Sequence, residues 1–302
     1  MKYASVIVTF NRVKLLKKAI ESVLQQTVKP EYIIILDNHS TDGTRDLMKQ
    51  YKDDGKIIYI RTKENVGGSM GFYLGLAKAY LLGVDWISLS DDDAIFENHY
   101  FEKLIKKGQK HPEIQCFTGT VRSADNSLQL IHRRMLLSNS TLKEVPIAAT
   151  QYDHDFCVDG FTFVGVFLSR DLISKVGMPE KDYFIWNDDA EYALRVRKVT
   201  PILNVSDATV YHLNNTKVTE KRFQPSWKEY YGIRNRIQME NKHSTNRIML
   251  IPSNLLFITR RIIGMTVKND HRRYFSYLFK QLVDGYADGI RGVTGKNEHY
   301  LP

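Results

Sequence analysis

Four short apolar runs, each stopping in a polar cluster, decide most of what this chain can fold into. They occupy residues 3–10 (YASVIVTF), 32–36 (YIIIL), 56–61 and 86–90 (WISLS). Continuous β-branched and aliphatic runs of this length read as strands buried on both faces. Between them the period changes. Residues 12–26 place Leu15, Leu16, Ala19, Ile20, Val23 and Leu24 at helical spacing. Ser40-Thr41-Asp42-Gly43 is turn chemistry, with Thr41 or Asp42 able to cap a helix to about Lys52. A third helix is expected over 69–82. This alternation predicts an α/β fold, a mostly parallel sheet flanked by helices. Ligands of such sheets gather beyond the carboxyl ends of the strands. Thr9 and Asn11, Asp37 and Asn38, Asn65 to Gly68, and Asp91 to Asp93 all fall there.

Beyond residue 97 the pattern predicts a helix over 101–110 and a strand over 114–121. Residues 125–151 show no period and read as a long loop or hairpin region. Further strands are expected over 161–169, 202–205 and 208–212. Helices are expected over 170–176, ended by Gly177, and over 188–198. From Ser226 the chain turns helical and basic, with helices at about 226–243, 246–266 and 270–287 and a less regular tail from Gly285. The expected division is a domain over 1–225 and a helical region over 226–302.

The chain has 302 residues and a formal net charge of +9. A basic balance points to an anionic partner: nucleic acid, a membrane surface or a phosphorylated substrate. No RNA-binding motif is present, and carboxylates at strand ends argue against nucleic acid. Cys116 and Cys157 fit no metal or disulfide spacing and read as reduced thiols. The N-terminus enters a strand directly, and no run approaches the ~18 apolar residues of a membrane span. The expectation is a cytoplasmic protein, soluble or peripheral on the inner face of the membrane. Basic residues from Arg260 to Arg273 are interleaved with aliphatic and aromatic ones, which suits an anionic lipid interface. A helical appendage or oligomer contact with a solvated basic face fits the same residues.

Asp91-Asp92-Asp93 is the most informative cluster. Three adjacent carboxylates repel one another, and a hard divalent cation would relieve them. Alternation along an extended segment lets Asp91 and Asp93 face one pocket while Asp92 turns toward the protein. Asp37, at the end of the second strand, can accept hydrogen bonds from a ribose or a base. Asn65-Val66-Gly67-Gly68-Ser69-Met70-Gly71 enters a helix and reads either as a diphosphate or sugar cradle or as a tight turn with close packing. It is not GxGxxG and follows the third strand, which argues against a dehydrogenase. Trp186-Asn187-Asp188-Asp189-Ala190-Glu191 supplies a second acidic cluster at a helix start, where a general base is expected. His212 alone would read as structural.

Taken together, VIVTFNR, LDNHSTDGT, SLSDDD, NDDAEYALR and Tyr231-Gly232-Ile233-Arg234-Asn235 resemble the inverting, nucleotide-sugar-dependent glycosyltransferases of family 2, with the GT-A fold. Asn65 to Phe72 and Trp186 to Tyr192 are similar to segments of bacterial galactofuranosyltransferases and rhamnosyltransferases. The chain departs from them by Asn187 between Trp186 and the Asp pair. The resemblance implies that Asp91, Asp93 and His212 hold Mn²⁺ or Mg²⁺ on the donor diphosphate. It implies that Thr9, Asn11, Arg12, Asp37, Asn38, Asn65, Gly67, Gly68 and Asp92 line the donor side, with Asp37 on the pyrimidine. Asp189 would be the catalytic base, with Asp188 and Glu191 orienting the acceptor or supporting the base. Trp186 would be a sugar platform or a core residue.

The implied reaction transfers galactofuranose from UDP, or rhamnose from dTDP, to a glycan acceptor, lipid-diphosphate-linked or not, in bacterial cell-surface polysaccharide synthesis. A homo-oligomer is compatible with it. A catalytically inactive nucleotide-sugar or anionic-surface binder is the alternative of another class.

Overall fold

The computed structural model describes residues 1–213 and 223–301. Asn214 and Asn215, which follow His212, and the terminal Pro302 lie outside the described residues. The strands are β1 (Tyr3–Thr9), β2 (Tyr32–Asp37), β3 (Ile57–Arg61), β4 (Trp86–Asp91), β5 (Ala94–Phe96), β6 (Cys116–Arg122), β7 (Arg133–Leu136), β8 (Glu144–Pro146), β9 (Phe156–Val158), β10 (Gly160–Phe161), β11 (Val164–Ser169) and β12 (Ile202–His212). The helices are α1 (Val13–Leu24), α2 (Thr44–Lys49), α3 (Gly67–Leu81), α4 (Tyr100–Lys110), α5 (Arg170–Val176), α6 (Asp188–Val196), α7 (Lys228–His243), α8 (Leu250–Val267), α9 (Asn269–Arg272) and α10 (Phe275–Arg291).

A nine-stranded sheet runs β3-β2-β1-β4-β11-β6-β12-β5, with β9 beside β12. The four strands expected from the apolar runs pair in parallel. β11 is antiparallel to both β4 and β6, and β12 is parallel to β6, so six of the nine strands share a direction. The sheet is therefore mostly parallel, and apolar clusters cover both of its faces. Close packing sets the glycine pattern of α3. A Cβ on Gly71 would come within 2.7 Å of Val8, so this helix can lie against β1 only without one. Helix α1 starts where Asp42 accepts from the Val13 N–H, so Asp42 serves that helix as well as its own turn.

Two strands differ from expectation. The segments 202–205 and 208–212 form one strand, because β12 carries an interruption rather than a break. The step from Val205 to Thr209 spans only the step from Gly119 to Thr120 in β6. The extra residues are held by Asp155, which accepts from the Ser206 N–H, and by Thr120, which donates to the Ser206 carbonyl. Conversely, 161–169 splits into β10 and β11.

The residues form two compact units. One comprises 1–135, 145–181 and 189–214; the other comprises 136–144, 182–188 and 215–302. In the second, α7 and α10 pack tightly, and a core of Ile233, Met265, Leu278 and Leu282 closes over them. Contrary to expectation, one described helical stretch, Arg247–Val267, is long and apolar enough to cross a membrane by length and composition, with a mean hydropathy of 1.4.

Candidate active site

The end of β4 gathers the acidic cluster, and the geometry follows from alternation along an extended backbone. Asp92 is buried and turned inward. Its Oδ2 accepts from the Thr9 hydroxyl at 2.7 Å, and its Oδ1 accepts from Arg12 at 3.2 Å. Arg12 reaches Asp93 as well, at 2.7 Å. The repulsion that suggested a cation is thus partly relieved by the protein's own arginine.

β5 follows directly and pairs antiparallel with the end of β12, setting His212 opposite Ala94. That pairing carries His212 to the cluster. Ligand atoms of Asp91, Asp93 and His212 lie within 4.8 Å of one another. His212 Nε2 stands 3.2 Å from Asp93 Oδ1. Apart from this contact with the imidazole, the buried carboxylate oxygen has no hydrogen-bond partner. An orphaned buried oxygen beside a second carboxylate and an imidazole fits a divalent cation: carboxylates suit Mg²⁺ and Mn²⁺, and imidazole suits transition metals.

Electrostatics agree. Burial pushes Asp91 well above the usual carboxylate range, and Asp93 and Asp92 add to it. Burial also raises Asp92, to about 6, against the pull of Arg12 and Thr9. Asp93 goes the other way: burial acts upward, but His212 and Arg12 outweigh it. Burial acts against the charged form of His212, yet Asp93 and Asp91 raise its pKa overall. At Asp91 and His212, whose pKa values are raised, a bound cation would therefore compete with a proton.

Two residues here carry no sequence signal. Gln129 Oε1 lies 3.0 Å from His212 Nδ1 and 2.9 Å from His132 Nε2. Its amide nitrogen donates to Ser123 and to the His212 carbonyl. That second pair fixes the amide orientation, so Oε1 is the acceptor for both rings. His212 Nδ1 must then carry a hydrogen, which leaves Nε2 as the nitrogen able to ligate. His132 is buried, held by Thr162, and pushed down to about 2 by burial first and then by His212 and Arg133, so it is a neutral imidazole. Both Gln129 and His132 fall in or beside the stretch without hydrophobic period.

The other expected donor residues form a second group at the ends of β2 and β3. Asn38 and Asn65 clasp each other at 2.8 Å. Asn38 accepts from the Val66 N–H and Asn65 from the Gly67 N–H, so both asparagines hold the start of α3. A Cβ on Gly68 would meet open space, which fits a ligand-facing turn. Asn11 accepts from the Thr41 N–H through its side chain and donates its own N–H to the Ser40 hydroxyl oxygen, joining the loops after β1 and β2. Asp37 lies beneath this group. It is fully buried, and its carboxylate is taken by the Ser40 N–H at 2.7 Å and the Tyr59 hydroxyl at 2.5 Å. These contacts brace the loop after β2 from below.

The acidic segment at α6 is divided in role. Asp189 is half-buried and accepts from the Ala190 N–H. Asp188 is buried. Glu191 is fully buried and bound by Arg195 at 2.8 and 3.0 Å, a pairing that braces α6. Trp186 is 41% exposed, which removes the reading as a core residue. Phe184, Trp186 and Asn187 all have left-handed backbone, with φ of 66°, 65° and 68°. Such residues cost about 1–3 kcal/mol each and persist only where surroundings impose them. Here Asn235 holds them: its amide nitrogen stands 2.9 Å from each of the carbonyls of Tyr183, Ile185 and Trp186, its two hydrogens shared among the three. Arg234 donates to the Tyr183 carbonyl, and Asn187 to that of Gly232. This is the work of the Arg-Asn pair on α7.

The sequence pattern of glycosyl transferase family 2 matches residues 5–172, which span β1 to the start of α5. The chain belongs to glycosyl transferase family 2. Among similar proteins, the galactofuranosyltransferase GlfT1 of Mycolicibacterium smegmatis is 28% identical over 217 residues, 69% of this chain and 70% of that protein. GlfT1 of Mycobacterium tuberculosis is 27% identical over the same length. The fold of this transferase is that of solved glycosyltransferases. S. aureus TarS 1-349 in complex with UDP-GlcNAc superposes with a TM-score of 0.62 at 13% identity, over 97% of this chain and 82% of TarS. GalNAc-T7, solved with UDP, GalNAc and Mn²⁺, gives 0.64 at 13%, over 97% of this chain and 56% of its own. The GT-A fold and glycosyltransferase class are thereby established for this chain.

Proposed function

We propose that this family 2 transferase moves galactofuranose from UDP-galactofuranose to a glycan acceptor, in a cation-dependent, inverting displacement. The donor sugar rests on likeness to the GlfT1 enzymes. The observation that carries the cation dependence is the convergence of Asp91, Asp93 and His212 around an orphaned buried carboxylate oxygen. Two oxygen ligands and one imidazole favour Mn²⁺ over Mg²⁺. A cation held there supplies charge neutralisation to the leaving diphosphate.

The chain's own groups do the rest. Arg12 shifts its charge from the carboxylates toward the diphosphate. Asp189 takes the proton of the acceptor hydroxyl as its oxygen bonds to the anomeric carbon. The bond from that carbon to the diphosphate breaks on the opposite face, and the nucleoside diphosphate leaves with the electron pair. Inversion follows. Trp186 offers an exposed ring for the acceptor sugar, and Asp188 orients its hydroxyls. Residues 1–225 carry the transfer, inside the cytoplasm.

Rhamnose transfer from dTDP-rhamnose is the second reading, kept open by the similar segments of those enzymes. Thermal-shift titration with UDP, dTDP and GDP, with and without Mn²⁺, comes first. Stabilisation by UDP that requires Mn²⁺ supports the proposal. Preference for dTDP removes galactofuranose, and indifference to all three removes nucleotide-sugar transfer. Product analysis with UDP-galactofuranose on glycan acceptors then reads the donor directly.

A further inference from the structure

Helix α8 has two unlike faces. On one, Asn254 donates to Glu240 of α7 at 3.0 Å and accepts from Arg236 at 2.5 Å. Arg261 pairs with Glu229 of α7 at 2.7 Å, and Met265 is buried. The other face carries Ile251, Leu255, Ile263 and Val267, exposed by 69, 64, 53 and 69%. These lie on one i,i+4 row, with the exposed Thr259 as its one polar member, so the exposure runs as a mostly aliphatic stripe along the helix. Soluble proteins seldom leave such a stripe uncovered without a use for it.

Charge says what covers it. Between residues 247 and 273 there are six lysines and arginines and one acidic residue, Asp270. Arg260 and Lys268 are exposed at the side and end of the stripe. A second copy of this helix would bring like charges together. An anionic bilayer would meet the cations with lipid phosphates and the aliphatic row with acyl chains. A span is disfavoured, although the stretch is long enough. Arg260 and Arg261 lie inside it, where a charge at bilayer depth costs about 2.5–3.5 kcal/mol or more. Crossing would also strip α8 from Glu229 and Glu240.

We infer that α8 lies in the plane of an anionic membrane, its Ile251–Val267 row in the acyl boundary and its α7-facing side fixed to the protein. This goes beyond the transfer reaction and stands without it.

Flotation of the full chain with phosphatidylcholine vesicles, with and without phosphatidylglycerol, tests the inference. Binding is expected only with phosphatidylglycerol, and is expected to be released by high salt and by alkaline extraction. Arg260→Gln and Lys268→Gln should each weaken it roughly fivefold, the effect of one basic residue near the surface. Leu255→Glu with Ile263→Glu should weaken it at least about tenfold, with the thermal midpoint in vesicle-free buffer unchanged. Absence of binding, equal binding to both vesicle types, or resistance to alkaline extraction would each overturn the inference. So would a lipid-indifferent dimer, seen by sedimentation, that the glutamate pair dissolves.

Discussion

Replacing Gln129 with leucine tests the site most sharply, because the side chain touches no substrate in the proposed scheme. Its Oε1 holds His212 Nδ1 at 3.0 Å and His132 Nε2 at 2.9 Å. Leucine has similar volume and no acceptor. Two buried ring N–H groups then lose their partner, at about 1–3 kcal/mol each where neither finds another. The His212 ring becomes free to turn, and its tautomer is no longer dictated. Groups that orient a metal-bound histidine contribute about 10- to 100-fold in affinity, or about 1.4–2.7 kcal/mol. Mn²⁺ affinity, measured by electron paramagnetic resonance titration in the presence of UDP, should fall by that factor. The modulation from coordinated imidazole nitrogen should weaken with it. A general loosening of the fold would also weaken binding, so the decisive measurement is the cycle with His212→Ala. If Gln129 acts through His212, the double variant binds no worse than His212→Ala alone. Additive losses, or unchanged affinity in Gln129→Leu, refute the positioning role; a parent protein that binds no Mn²⁺ refutes the metal site itself.

Asp189→Asn should keep Mn²⁺-dependent UDP binding while kcat falls by about a hundredfold to ten-thousandfold, as loss of a general base does; near-normal transfer would remove Asp189 from that role. Asp93→Asn should abolish the Mn²⁺-induced rise in Tm with UDP, seen by thermal shift. For pH, metal binding competes with protons at Asp91 and His212, whose pKa values are both raised, so Mn²⁺ affinity by calorimetry should strengthen as pH rises through and above the ordinary imidazole value of 6.5. The His212 contribution to stability without metal runs oppositely: its raised pKa stabilises below the ordinary value of 6.5 and is lost as pH rises through the higher folded value. Asn235→Ala removes the donor to three carbonyls, so amide exchange over 184–187 should quicken and acceptor KM should rise, with UDP affinity unchanged.

The first half of the fold is legible because its information is local. The four apolar runs and the helical period between them are read within windows shorter than twenty residues. The later strands depend on partners far away. β5 and β9 are three residues each and exist because β12 lies beside them. Glycines mislead in the opposite direction at the end of the chain. Gly285 and Gly289 suggest an irregular tail, yet α10 continues to Arg291. A Cβ on either would come within 2.9 Å of an α7 carbonyl, that of Tyr230 or Arg234. Low helix propensity, about 1 kcal/mol per glycine, is outweighed by the close approach it permits.

The same asymmetry runs through the site. Residue types and strand ends are visible in the sequence; burial and pairing are not. Asp37 and Glu191 are legible as carboxylates at a strand end and a helix start, whereas their pairing with Tyr59 and Arg195 is not. Asp91-Asp92-Asp93 looked like charge waiting for a metal, and Arg12 shows that much of that charge is met from within. What still argues for a cation is narrower and better founded. Asp93 Oδ1 is a buried oxygen without a hydrogen bond, facing an imidazole whose other nitrogen Gln129 has fixed. Repulsion along the sequence is common to many acidic loops, whereas an oriented ligand pair around an unsatisfied oxygen is costly to keep unless something binds there.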